Sequence, residues 1–176
     1  MKKKKVAGYG YVLISILFCF TALAYWFFPT RSPDAVCWIS GGVLLIYGII
    51  RMIGFFSDDL YCLAFRYDFA YGLLLIVLGV LLWLKRQVVY PYLVPGLGWI
   101  VLLDSLFRIQ MSKEAKDFGL RQWKIILVIG ILTAFSSFLL VLSGFSGQKP
   151  SEGLTGCVLL LEGVLNWLTV KFTVKW

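Results

Sequence analysis

The chain contains no histidine, and its four cysteines, Cys19, Cys37, Cys62 and Cys157, show no C-x-x-C spacing. Because histidine and closely spaced cysteine are the usual ligands of zinc, the sequence argues against a metal centre. It also argues against catalysis that uses imidazole as a general base. We therefore expect no enzyme activity, no catalytic residues and no bound cofactor. Disulfide geometry is strict, so buried, unreactive thiols are favoured over a Cys37–Cys157 bridge.

Two acidic residues, Asp68 and Asp104, superficially resemble the paired aspartates of intramembrane proteases, in which two carboxyl groups activate water. The glycine-aspartate motif expected around the second acid is absent, because Gly96 and Gly98 precede Asp104 by several residues. An ion-pair partner is therefore the favoured role for Asp104.

Charged residues are scarce, at 15% of the chain, whereas 60% of the residues are hydrophobic and the mean hydropathy is +0.87. This composition is typical of a multi-pass membrane protein and excludes an ordinary soluble domain. Six apolar segments are long enough to cross a hydrocarbon core of about 30 Å. The predicted spans are Tyr9 to Phe28, Ala35 to Phe56, Phe69 to Leu84, Tyr90 to Phe107, Trp123 to Leu142 and Gly153 to Val170.

The distribution of basic residues predicts the orientation of these spans. Of 17 lysines and arginines, 13 fall on the side that holds both termini, and four fall opposite: Arg31, Lys85, Arg86 and Lys149. The positive-inside rule therefore predicts a cell-membrane protein with both termini in the cytoplasm. This bias and the attraction of anionic lipid headgroups account for the net charge of +8, so we expect no nucleic-acid partner.

The first predicted span has features of a cleavable signal peptide, with a basic start at Lys2 to Lys5 and small residues at Ala22 and Ala24. Its apolar run continues to Phe28, however, whereas the apolar region of a signal peptide is about 7 to 15 residues long. An internal repeat with offsets of 57 and 58 residues also requires this helix as the first helix of its first unit. We therefore expect it to be a membrane span.

An eleven-residue pattern recurs three times, at Gly41 to Arg51, Gly98 to Arg108 and Gly156 to Asn166, with offsets of 57 and 58 residues. A fixed period indicates stacked copies of one structural unit. Because two spans return the chain to its starting side, the units are parallel. The prediction is an all-α integral membrane six-helix bundle in one transmembrane domain, 1–176, with repeat units at about 9–56, 66–113 and 123–171.

Small residues recur on the first helix of each unit at the same offsets, which predicts close helix contacts in lipid. The equivalent sets are Ser15, Gly72 and Gly130, and then Ala22, Gly79 and Ser137.

The second helix of each unit carries a polar pair, and these pairs are the candidate functional site. They are Tyr47 with Arg51, Asp104 with Arg108, and Glu162 with Asn166. Charge inside a membrane span requires a partner or a water-filled cavity. Asp104 can pair with Arg108 one helical turn later, which leaves Glu162 and Arg51 as a predicted ion pair across the bundle. Two alternatives are arginines that extend to the headgroups and a substrate or proton pathway at Glu162.

The second helices GGVLLIYGIIRMIGFF (41–56) and LGWIVLLDSLFRI (97–109), with the first helix YGLLLIVLGVLLWL (71–84), resemble the HdeD-like small membrane proteins. That family is built from a short duplicated hairpin repeat of unassigned function, and one namesake is associated with acid resistance in an enteric bacterium. The resemblance implies a stress role. We expect a non-enzymatic protein that acts structurally or in envelope stress, with anionic lipids and other membrane proteins or a second copy as partners. The alternative is a small transporter or channel subunit with a proton or solute pathway near Glu162.

Overall fold

The protein is all-helical in the computed structural model, which describes residues 2–27, 33–56, 68–145 and 152–173. A short helix, Arg86–Val89, and a 3-10 turn, Tyr90–Tyr92, connect the third and fourth of the long helices. The predicted six-helix bundle is confirmed. The long helices are α1 (Lys2–Phe27), α2 (Pro33–Phe55), α3 (Asp68–Leu84), α4 (Leu93–Asp117), α5 (Trp123–Phe145) and α6 (Glu152–Thr173).

Helix α4 ends in a glycine cap that turns the chain toward α5. Gly119 has a φ of 74°, a left-handed backbone conformation that residues with a Cβ adopt only at a cost in free energy. The N–H of Gly119 donates to the carbonyl of Lys116 at 2.9 Å, and the N–H of Leu120 donates to Ala115 at 3.0 Å. These two hydrogen bonds form the Schellman motif, and they satisfy carbonyl groups that the end of the helix would otherwise leave without a donor.

The main helix interfaces lie between repeat units and not within them. Helix α2 packs most extensively on α3, α4 on α5, and α6 on α1, whereas α1 and α2 of the first unit share a smaller interface. The second helix of each unit is therefore paired with the first helix of the next. The α6–α1 interface joins the last unit to the first and closes the ring.

Each main interface brings two small residues into contact at equivalent positions. A Cβ placed on Gly48 would lie 2.6 Å from the carbonyl oxygen of Gly72 and 2.7 Å from Cγ1 of Ile76, so the two backbones are nearly in contact. Such close approach favours helix association in lipid, where apolar side chains gain nothing by leaving the solvent. The equivalent contacts are Gly48 with Gly72, Ser105 with Gly130, and Gly163 with Ser15.

The outer surface of the bundle is apolar. Large hydrophobic side chains such as Leu73, Val77, Ile131 and Phe135 are at least half exposed. Within the described residues, four segments are long and apolar enough to cross a membrane, and two apolar helices, Tyr9–Ala24 and Asp68–Leu84, are shorter. The four longer segments are Asp34–Phe55, Arg86–Asp117, Trp123–Phe145 and Gly153–Phe172.

A closed polar cluster as the candidate functional site

The structure brings all six sequence-predicted polar residues together in the interior, where their exposure ranges from 0 to 4%. They lie on α2, α4 and α6, one pair per helix, and long side chains bridge the space among these helices. Two further residues, from α1 and α3, join the group. We refer to the eight residues as the polar cluster: Tyr11, Tyr47, Arg51, Asp68, Asp104, Arg108, Glu162 and Asn166.

Arg51 is the most connected member of the polar cluster. Its Nη1 lies 2.7 Å from Oδ1 of Asp68, and its Nη2 donates to Asp104 and to the hydroxyl of Tyr47. The guanidinium also lies over three rings, 4.5 Å from the centroid of Tyr71, 4.7 Å from that of Tyr47 and 5.9 Å from that of Tyr11. One side chain therefore joins α2 to α3 and α4 through charged and cation–π contacts.

The predicted Glu162–Arg51 ion pair is wrong, because the ion pairs of Arg51 to described residues go to Asp68 and Asp104. Asp68 begins α3, the helix that packs most closely on α2, so it is placed nearer to Arg51 than the acid on α6. The alternative that Arg51 and Arg108 extend to the headgroups is also wrong, since both are buried and bonded inside the bundle.

The expected pair within α4 is confirmed. Arg108 Nε donates to Oδ2 of Asp104 at 3.0 Å, at the spacing of one helical turn. The Nη2 of the same guanidinium donates to Oδ1 of Asn166, which links α4 to α6. Asp104 therefore accepts from two guanidinium groups, with one carboxyl oxygen on each.

Glu162 has a different set of partners. Its Oε1 accepts from Nδ2 of Asn166 at 2.9 Å, and the hydroxyl of Tyr47 lies 3.5 Å away. The carboxyl group of Asp104 is a neighbour of this carboxyl group. The second oxygen, Oε2, is buried and receives no hydrogen bond from a described donor.

Sequence reasoning did not place Tyr11 or Asp68 in this cluster, where the Tyr11 hydroxyl donates a hydrogen bond to the Asp68 carboxylate. A signal was present: the two residues are equivalent at the 57-residue offset, and each precedes a small interface residue, Ser15 or Gly72, by four positions. Residues four apart share a helix face, so both side chains had to point into an interface.

Two surface cavities among the described residues have no member of the polar cluster in their lining. One is an apolar groove of about 350 Å³ between α1 and α6, with Trp167 among its lining residues. Another, of about 450 Å³, lies between Asp34 and the Lys85 to Val88 segment. The cysteines also lie apart from the cluster: Cys19, Cys37 and Cys157 are free thiols, Cys37 buried and Cys157 exposed, and Cys62 lies outside the described residues.

The apolar helices, the repeated small-residue contacts and the closed interior define a helical membrane protein made of a short repeat. The family described as "Short repeat of unknown function (DUF308)" matches residues 13–84 and 70–142, and the chain belongs to this family. The two matched stretches begin 57 residues apart, which is the first offset of the internal repeat. Comparison with curated proteins and with solved structures found no match.

Proposed function

We propose that the protein is a non-enzymatic structural membrane protein of the HdeD-like type, whose repeat units are locked together by the polar cluster. The observation that carries this proposal is that the cluster is closed: eight polar side chains on five helices bond chiefly to one another and are almost fully buried. Because unsatisfied charge is costly away from water, such a set fixes how the helices are arranged.

The same observation weighs against the alternative of a proton or solute pathway at Glu162. A pathway needs water or substrate to reach the ionisable group from both sides of the membrane. The side chain of Glu162 is 1% exposed, and Tyr47, Asn166 and Asp104 occupy its surroundings. A closed core is what a structural role requires.

The cell membrane is the proposed location, with both termini in the cytoplasm, anionic lipids as partners and other membrane proteins or a second copy as neighbours. The support is the asymmetry of the basic residues and the apolar outer surface. A role in envelope or acid stress follows from the HdeD-like resemblance alone and is part of the same proposal.

Cysteine labelling of intact cells tests the orientation. In a variant without the four native cysteines, single cysteines replace Arg86 or Lys116, which lie at opposite ends of the segment Arg86–Asp117. Position 86 is expected to react with a membrane-impermeant maleimide before lysis, and position 116 only afterwards, because the basic side faces the cytoplasm. Reaction of position 116 from outside would exclude this orientation.

Proton flux tests the structural role against the pathway. In proteoliposomes with an imposed pH gradient, the protein is expected to leave the decay rate at that of protein-free vesicles, because the cluster is closed to water. A protonophore added at the end provides the positive control.

A specific flux would overturn the structural proposal if Glu162→Gln abolished it and Asp117→Asn retained it. Asp117 is the matched control because it is exposed, lies outside the polar cluster and also loses one carboxylate. This comparison separates a pathway through the cluster from leakage around badly inserted protein.

A further inference from the structure

The buried charges of the described residues do not balance if every group is ionised. They comprise two guanidinium groups, Arg51 and Arg108, and three carboxyl groups, Asp68, Asp104 and Glu162. An extra anion in a dry interior is costly, and buried acids avoid the cost by staying neutral. One of the three acids must therefore carry a proton for the set to be neutral.

The contacts identify the neutral acid. Oδ1 of Asp68 is paired with Arg51, and both oxygens of Asp104 are paired with guanidinium groups. Glu162 instead accepts from neutral donors, the amide of Asn166 and the hydroxyl of Tyr47. It is the acid with the least to gain from ionisation, because among the described residues no salt bridge stabilises its charge.

The geometry also provides a place for the proton. Oε2 of Glu162 is buried and has no described donor, and the carboxyl group of Asp104 is a neighbouring group. Two ionised carboxylates would both be acceptors and would repel each other, whereas a protonated carboxyl group is a donor. A proton on Oε2 satisfies that atom and lets Glu162 donate a hydrogen bond to the neighbouring carboxylate.

We propose that Glu162 is a buried proton-binding site. Oε2 carries the proton and donates a hydrogen bond to the carboxylate of Asp104. The groups that face this carboxyl are Tyr47 and Arg51 from α2, Asp104 and Arg108 from α4, and Asn166 from its own helix. With the proton bound, two cations face two anions. Loss of the proton leaves one unbalanced anion between the three helices.

This inference concerns the protonation of the polar cluster and does not depend on the proposed function. A structural core and a proton pathway both permit a protonated Glu162, and flux measurements do not report on it. A direct observation of the carboxyl group is therefore the decisive experiment.

The chain allows such an observation because it contains only three glutamates, Glu114, Glu152 and Glu162. The double variant Glu114→Gln and Glu152→Gln leaves Glu162 as the one glutamate in the whole protein. With a ¹³C label on glutamate carboxyl groups, the infrared spectrum of the full chain in lipid bilayers at neutral pH reports Glu162 alone. We expect the C=O stretch of a protonated carboxylic acid, shifted by the label.

The labelled spectrum decides the question in either direction. The paired stretches of a carboxylate at neutral pH, without the acid C=O band, would overturn the proposal. The comparison variant Asp104→Asn replaces the charged carboxylate acceptor with a neutral amide and removes one negative charge, so it is expected to shift the C=O band or replace it with the carboxylate signal. A band unchanged by Asp104→Asn would show a protonated Glu162 that donates elsewhere, which would overturn the assignment of Asp104 as its partner.

Discussion

Replacing Arg51 by glutamine is expected to lower the free energy of unfolding by about 3 to 5 kcal/mol, the usual cost of removing one partner from a buried ion pair. The change leaves Asp68 and Asp104 without the guanidinium that joins them, and it removes the cation over the rings of Tyr47 and Tyr71. Unfolding of the detergent-solubilised protein with increasing sodium dodecyl sulfate, followed by circular dichroism, measures the effect.

The matched control is Arg86→Gln, which removes the same charge from a side chain that is 37% exposed and 3.6 Å from Asp34. An exposed pair of this kind contributes about 0 to 1 kcal/mol. Arg51→Lys is expected to fall between the two, because an ammonium keeps the charge but lacks the planar fork that reaches Asp68 and Asp104 together. Equal stability of Arg51→Gln and Arg86→Gln would contradict a central role for the polar cluster.

The sequence was sufficient to predict the architecture, because the repeat consists of small residues and apolar segments, and a lipid environment restricts where both can occur. Glycine or another small residue at a fixed offset allows close backbone approach, and apolar length sets the helices. The identity of the packing partners was not predictable in the same way. Gly48 meets Gly72 of the next unit, and the pattern alone is equally compatible with small residues that meet inside one hairpin.

The candidate site was predictable in membership but not in pairing. The repeat register pointed to all six polar residues on α2, α4 and α6, and the Asp104–Arg108 pair follows from helix geometry within one element. The partner of Arg51 depends on how neighbouring helices are rotated about their axes. The sequence drew attention to Asp68 only as part of a protease-like pair with Asp104, because an acid in the first turn of a helix needs no buried partner to be explained.

The charge balance of the interior lowers the stability cost that we expect for Glu162→Gln. An ion pair with Arg51 would make Glu162→Gln costly, whereas a protonated Glu162 resembles glutamine in shape and charge. The amide of glutamine can donate to Asp104 and its oxygen can accept from Asn166, so the contacts seen in the structure are retained. We therefore expect Arg51→Gln to destabilise the bundle more than Glu162→Gln does, because Arg51 makes the salt bridges.

Replacing Gly48 by alanine is expected to destabilise the bundle by about 1 to 3 kcal/mol, the usual cost of overpacking a tight interface. The added Cβ would lie 2.6 Å from the carbonyl oxygen of Gly72, which is backbone and can move only if α2 and α3 separate. Gly96→Ala is the matched control, since nothing lies within 4 Å of its Cβ position and alanine favours a helix by about 0.5 to 1 kcal/mol. The same denaturant titration measures both variants, and Gly48→Ala should unfold earlier than the wild type while Gly96→Ala unfolds at the same point or later. If both variants were equally stable, the helix contacts between repeat units would not depend on backbone proximity.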